Sequence, residues 1–278
     1  GQGFSNMEAA WNESAASSPS YSAYVYGDSS WPDPGWPLTN RPALLTGIFA
    51  VACGQVVVIL YHFFHLRSNC SRIQKAVMPE SSFLSDMMGH LAQPEGFVLL
   101  SLYLSGTWMF RLMPKSYYSA EGTVNPVHVF AQLVINDFFQ TVMHLGEHKL
   151  SPWIYRMSHK PHHRFLNPKM FDAFNGSICD TIFMILLPLF LTAQIVHCNV
   201  WSYMAFGTIY ASWLTLLHSE VSHPWDPLFR KIGFGTAGDH HVHHKCFIFN
   251  FGHLFMWWDM MFGTYKSPMS VETFNKDI

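Results

Sequence analysis

The sequence predicts an all-α integral membrane protein with four to five transmembrane helices and a histidine-ligated dimetal site in a helical cap on the positive-inside face. Three observations carry this expectation. Only 12% of the 278 residues are charged and 49% are hydrophobic, against roughly 25% charged in ordinary soluble domains. Five apolar runs approach the length that a helix needs to cross a hydrocarbon layer about 30 Å thick. Bordering these runs are three histidine clusters, HLGEH at 144–148, HKPHH at 159–163 and HHVHH at 240–244. Imidazole is the commonest protein ligand for transition metals, so clustering beside membrane-length segments points to a metal centre at a bilayer surface.

The elements follow in order. Residues 1–42 read as a polar arm: positions 1–40 hold four acidic residues and no lysine or arginine. The opening GQGFS matches a myristoylation pattern through Gly1 and Ser5, which an arm translocated across the membrane would forbid. A glycine start also reads as a processed targeting peptide, methionine removal or a partial chain. Residues 43–124 form an N-terminal membrane segment set, with apolar runs at 43–65 and 96–113. The second is short and ends in Arg111, so it reads equally as interfacial. Residues 125–268 hold all three histidine clusters, with further runs at 125–143, 176–196 and 199–217, and 269–278 is a tail.

Charge orients the spans. With the arm outside, thirteen lysines and arginines fall inside and only Arg41, Arg111 and Lys115 outside, which is the bias expected of cytoplasmic-side loops. All three histidine clusters then share the positive side, as one site requires. The net charge of −2 gives no support to nucleic-acid binding. Five cysteines stand singly, without a CxxC pair, so neither a disulfide framework nor a thiolate site is indicated. There is no internal repeat beyond the paired HxxHH clusters.

His144 and His148 are four apart and project from one helix face. His159, His162 and His163, like His240, His243 and His244, are spaced so that a helical turn presents all three on one side. His218, in LLHSEVSHPW, is a ninth candidate. One ion seldom takes more than six ligands, so the set implies two ions. Calcium and magnesium would demand oxygen ligands and structural zinc usually recruits cysteine, whereas imidazole suits iron, copper and zinc. Open coordination at a membrane favours iron, with zinc as a substitute. Asp137, Glu147, Glu220, Asp239 and Asn250 are candidate supporting residues, the carboxylates by accepting a ring N–H and fixing its tautomer. Asp137 is singled out because an acid within a span is costly and points to function. His223, His241 and His253 lie near the site but outside the repeated spacing. His62, His65, His90, His128 and His197 read as ordinary interfacial histidines, and FMWWDMMF at 255–262 as interfacial packing.

At these residues the chain resembles the fatty acid hydroxylase/sterol desaturase superfamily of integral-membrane di-iron enzymes. HLGEH, HKPHH and HHVHH match its HxxxH, HxxHH, HxxHH pattern in order. SPWIYRMSHKPHH and HSEVSHPW resemble flanking family segments, the second supplying a further histidine. HHKCFIFNFGHLFMWWDMMFGTY keeps the family spacing through Asn250 and Phe251 to Trp258, Asp259, Phe262, Gly263 and Thr264. Two departures concern polar neighbours and not the core ligands: Asp239 and His241 exchange the family's usual order in DHHVHH, and Lys149 stands where many relatives have histidine.

The resemblance implies two irons, O2 as co-substrate, and hydroxylation, desaturation or epoxidation of a lipid, sterol or triterpene-like ahead of fatty acyl. It implies electrons from a reductase with a b-type cytochrome, since the chain carries no flavin, haem or nicotinamide motif. It implies the endoplasmic reticulum ahead of a mitochondrial or plastid membrane. The alternative is a hydroxylase-derived structural subunit of a larger membrane assembly that holds residues 1–40. A histidine-rich metal transporter fits less well, because the clusters gather on one face.

Overall fold

The computed structural model describes residues 41–66, 70–76 and 81–278. The arm at 1–40 lies outside the described residues, and so do the myristoylation and arm-holding expectations that rest on it. Each of the five apolar runs is helical. The first is α1 (Arg41–Tyr61), prolonged by a π-helical stretch to Leu66. Next come α2 (Phe83–Leu91) and α3 (Leu99–Met109), the latter entered through a π turn at Pro94–Val98. α4 (Pro126–Lys149) starts where Asn125 accepts from the Val127 N–H at 2.9 Å and Pro126 presets the first turn. α5 (Pro152–Met157) is a short stub. α6 (Ile178–Ile195) contains a π turn at Ile182–Leu186, and α7 (Val200–Leu217) follows it but packs against α1 and α4. The remaining helices are α8 (Asp226–Lys231), α9 (Ala237–Cys246) and α10 (Trp257–Phe262). Among the described residues there is no strand, only isolated bridges such as Arg72 with Val221 and Gln74 with Phe274.

Among the described residues two stretches are long and apolar enough to cross a membrane, Gly47–Phe64 in α1 and its π-helical extension and Ile178–Ile195 in α6. α3 has 11 residues, about 16 Å at 1.5 Å per residue, too short to cross the core alone. α4 is long, but Asn136, Asp137, Gln140 and the histidines of its last turns interrupt its apolar character. Its buried polar face is turned inward, with Gln132, Asn136, Asp137, Gln140, Thr141 and His144 all buried.

α1 packs closely on α7 through small residues. A Cβ at Gly54 would lie 2.8 Å from Ala211 Cβ and 2.9 Å from the Thr208 carbonyl, so only glycine permits this approach. Gln55 donates to Thr215 Oγ1 (3.3 Å) and Thr208 Oγ1 to the Ala50 carbonyl (3.2 Å), satisfying polar groups in an apolar layer. Trp108, Tyr117, Tyr203 and Phe206 fill the space between α3, α4, α6 and α7. Tyr117 donates to the Val196 carbonyl at 2.5 Å, tying the loop after α3 to the end of α6. This bundle holds the C-terminal end of α4, the turn after α5, the end of α7 and all of α9 against one another.

Candidate metal centre

Four segments deliver histidines to one buried place. α4 supplies His144 and His148 one helical turn apart. The turn after α5, which tightens into a 3-10 helix at His162–Arg164, supplies His159, His162 and His163. The C-cap of α7 supplies His218, and α9 supplies His240, His243 and His244. These nine side chains form two groups: His144, His148, His159, His163 and His243, then His162, His218, His240 and His244. Within each group the candidate ligand nitrogens all lie within 4.8 Å of one another. The expectation that each HxxHH turn faces one way is refined by this split. Neighbours in an α-helix diverge by about 100°, so His243 turns to the first group while His240 and His244, a full turn apart, share the second. The turn at 159–163 divides likewise, with His162 in the second group.

The hydrogen bonds on the outer ring nitrogens fix what faces inward. His144 Nδ1 donates to the Phe251 carbonyl (2.7 Å), His159 Nδ1 to Asp180 Oδ1 (2.6 Å), His243 Nδ1 to the Phe249 carbonyl (2.8 Å) and His218 Nδ1 to the Leu214 carbonyl (2.9 Å). Carbonyl and carboxylate oxygens only accept, so each Nδ1 carries the proton and each Nε2 of a neutral ring is a bare lone pair. Yet the Nε2 atoms of His144 and His159 stand 2.9 Å apart, and those of His163 and His243 also 2.9 Å. In the second group, His218 Nε2 is 2.9 Å from His240 Nε2 and 3.3 Å from His162 Nε2. In the His144–His159 and His162–His218 pairs both Nδ1 atoms are the donors, so two lone pairs face each other and repel unless a cation lies between them. The spacing matches adjacent nitrogens around an ion held at about 2.1 Å. The donor set therefore fits metal.

Protonation cannot supply the missing positive charge. Burial, joined by repulsion from neighbouring rings, holds His159, His240, His243 and His244 well below the ordinary imidazole range. Burial lowers His148 and His162 to about 4. The rings are neutral near pH 7, the state in which imidazole ligates.

The supporting shell differs from the expectation in several places. Asp137 accepts from the backbone N–H groups of His253 (3.2 Å), Leu254 (2.7 Å) and Phe255 (2.9 Å) and from Trp258 Nε1 (3.1 Å), and touches no ligand ring. Its partner in this work is Asp259, whose oxygens receive the Phe251 and Gly252 N–H groups at 2.8 and 2.7 Å and the Thr264 hydroxyl at 2.6 Å. Together these carboxylates clamp the loop after α9, which offers its Phe249 and Phe251 carbonyls to His243 and His144. Asn250, in the left-handed region at φ 55°, completes the bracket by bonding the Asp239 and Lys266 backbones. Asp239 is an N-terminal cap of α9, bonded to the Thr236 N–H (3.0 Å) and hydroxyl (2.7 Å), and Glu220 accepts from the Met170 N–H (3.4 Å). Neither meets a ring.

Asp180, which the sequence reading passed over, is the carboxylate that does bond a ligand ring. The signal that singled out Asp137, an acid inside an apolar run, applies to it equally. Glu147 Oε2 stands 3.7 Å from the same His159 Nδ1, beyond hydrogen-bond reach, and forms a buried cluster with His159 and Asp180. Burial and the neighbouring Asp180 carboxyl push Glu147 upward.

Of the three outlying histidines, two are engaged elsewhere. His241 bonds the Ser219 carbonyl (2.9 Å) and Gln74 (3.1 Å), and His223 bonds the Leu216 carbonyl (3.1 Å) and Tyr61 (3.0 Å). His253 is buried between the groups, its ring centroid 5.2 Å from His144 and 5.1 Å from His240. Beside the first group, between α4, α5 and α6, lies a cavity of about 720 Å³ with an almost wholly apolar wall.

Fold and site together define a helical protein, bearing two apolar spans of membrane length, in which nine neutral imidazoles form a two-part centre able to hold metal. Comparison with known proteins makes the assignment specific. The fatty acid hydroxylase family profile matches residues 129–264. Over 230 residues the chain is 56% identical to the alternative squalene epoxidase of Phaeodactylum tricornutum, covering 81% of this chain and 66% of that protein. It is 31% identical over 178 residues to the cholesterol 25-hydroxylase-like protein of Danio rerio, covering 59% and 69%. It is 30% identical over 139 residues to methylsterol monooxygenase 1 of Danio rerio, covering 49% and 45%. The chain belongs to the fatty acid hydroxylase family. It spans just under two thirds of the squalene epoxidase and under half of the methylsterol monooxygenase. No solved structure matches it significantly.

Proposed function

We propose that the protein is a membrane-bound non-haem di-iron oxygenase that inserts one oxygen atom of O2 into a sterol or triterpene-like lipid, with squalene the first candidate. The single observation that carries the oxygenase reading is the convergence of nine neutral imidazoles in two groups whose Nε2 atoms approach one another with no proton between them in the His144–His159 and His162–His218 pairs. The substrate reading rests on the 56% identity to a protein named for squalene epoxidation. Two irons, when bound, would supply reductive activation of O2; oxygen insertion with release of water consumes two electrons and two protons, which an external donor must provide. A reductase with a b-type cytochrome is the donor of choice.

In this reading His144, His148, His159, His163 and His243 hold one ion and His162, His218, His240 and His244 the other, with zinc able to replace iron. Asp180 holds His159 in the tautomer that presents Nε2. The loop clamped by Asp137 and Asp259 does the same for His144 and His243. Near-complete burial excludes bulk water, which protects a reactive centre from side reactions. Residues 125–268 act as the catalytic domain, four to five helices embed in the endoplasmic reticulum membrane, and the histidine cap faces the positive, cytoplasmic side. Supplying iron-loaded, reduced protein with ¹⁸O2 and squalene, a sterol and a fatty acyl substrate in parallel tests the proposal. Label in squalene as an epoxide is expected; label in the acyl chain alone would overturn it.

A further inference from the structure

We propose that the cavity between α4, α5 and α6 is a lateral lipid bay, and that its occupant is a long hydrocarbon with no charged or strongly hydrogen-bonding head group, entering from the bilayer. This rests on the oxygenase reading above and adds where the substrate lies and which lipid class fits. The volume, about 720 Å³, is within the range of roughly 300–1,000 Å³ typical of small-molecule sites. Met143 and Gly146 of α4 line one side, Leu150 just after α4 and Trp153 of α5 the rim, and Cys179 and Phe183 of α6 the other side. Two features make the bay open towards lipid. α6 is one of the two stretches apolar enough to span a membrane. The rim side chains Leu150 and Trp153 are 76% and 69% exposed, an arrangement that costs free energy in water and none against acyl chains.

The polar groups at the wall are ill suited to a head group. Ser158 Oγ is already spent on the Ile154 carbonyl at 2.8 Å. Lys149 Nζ stands 5.6 Å from the Phe251 ring centroid, turned towards the loop that supports the histidines. Glu147 is at the inner end, buried, 3.7 Å from His159 Nδ1, so the bay stops against the ring of a candidate ligand. An added Cβ at Gly146 would meet only Leu150, at 3.5 Å, which leaves the floor free for a chain. By contrast, the cavity of about 480 Å³ lined by Asp86, Arg164, Lys169 and Asp172 together with Phe165 and Phe171 mixes charged and apolar groups and suits a different ligand. A hydrocarbon such as squalene enters the bay with no polar atom of its own to leave unpaired, whereas a sterol hydroxyl or a carboxylate would lose hydrogen bonds to water.

Cys179, a free and exposed thiol on the wall, reports occupancy directly. The detergent-solubilised protein is treated with N-ethylmaleimide with and without squalene, cholesterol or palmitate, and modification of each cysteine is followed by peptide mass spectrometry. Cys53 on α1 serves as the internal reference for micelle effects. The expected result is a tenfold or greater slowing at Cys179 by squalene, little slowing by cholesterol or palmitate, and no change at Cys53. Cys179→Trp, which fills the bay, is expected to abolish retention of radiolabelled squalene. Because binding is read without turnover, protection in a sample that oxidises nothing upholds the bay and sinks the oxygenase reading. Unprotected Cys179 in a sample that oxidises squalene overturns the bay and leaves the oxygenase reading intact. Equal or better protection by cholesterol or palmitate overturns the hydrocarbon specificity.

Discussion

Replacing Asp180 with asparagine keeps the shape of the side chain and exchanges the carboxyl group that faces His159 for an amide. The Asp180 Oδ1 to His159 Nδ1 distance is 2.6 Å, short for a nitrogen donor and typical of a charge-assisted bond. Such bonds contribute about 1.5–3 kcal/mol. Carboxylates that orient ligating histidines are worth roughly 10–100-fold in metal affinity, the equivalent of about 1.4–2.8 kcal/mol, so the two routes agree. Glu147 is the only rival acceptor in that cluster and lies about 1 Å farther from the ring, at 3.7 Å. Asp180→Asn is therefore expected to weaken metal binding 10–100-fold, and the double variant with Glu147→Gln to weaken it no less. The assay is competition for zinc against a chromogenic chelator, with helix content by circular dichroism to confirm folding. Binding within twofold of the parent in both folded variants would refute the assignment of His159 as an Nε2 ligand oriented by Asp180.

Three further outcomes follow from the same geometry. His148→Ala removes a ligand of the first group and His244→Ala one of the second, so each is expected to lower bound metal towards one ion per chain, whereas His241→Gln retains both; elemental analysis after dialysis separates them. Burial lowers His223 and His241 to about 4, below the unfolded value near 6.5, so the unfolded chain takes up protons first and stability falls as pH drops from about 6.5 towards 4. Each group accounts for on the order of 3 kcal/mol at the acid end of that window; Tm of metal-free protein measured from pH 7.5 to 5 should fall, less steeply in His241→Gln, and a flat profile would contradict the neutral-buried assignment. Asp259→Ala strips three hydrogen bonds from the loop that offers Phe249 and Phe251, and a loss of about 2–4 kcal/mol in stability with weakened metal binding is expected by thermal melting and chelator competition.

The helical class and the histidine set were legible because both are written in local sequence. Membrane-length apolar runs and i, i+3, i+4 spacings translate directly into helices and shared faces. What the sequence could not show is how rings on one turn divide between two groups, since that depends on where α4, α7 and α9 meet. Supporting roles were least legible. Asp137 stands out in the sequence as an acid in an apolar run, but its backbone partners lie more than a hundred positions away and it meets no ligand ring. Asp239 sits beside three histidines in sequence and caps its own helix in space. Asp180 met the same criterion as Asp137 and became visible only when α6 was seen to pass behind His159. Chain neighbourhood does not identify which carboxylate a ring N–H will find.

In the proposed centre nine histidines hold two metal ions per chain. Elemental analysis of protein purified in mild detergent after expression on iron-57, combined with Mössbauer spectroscopy, addresses it most directly. Two irons per chain with the signature of a magnetically coupled pair is the predicted result. Folded protein that saturates at one ion per chain, or that binds none under iron-replete conditions, would contradict the account.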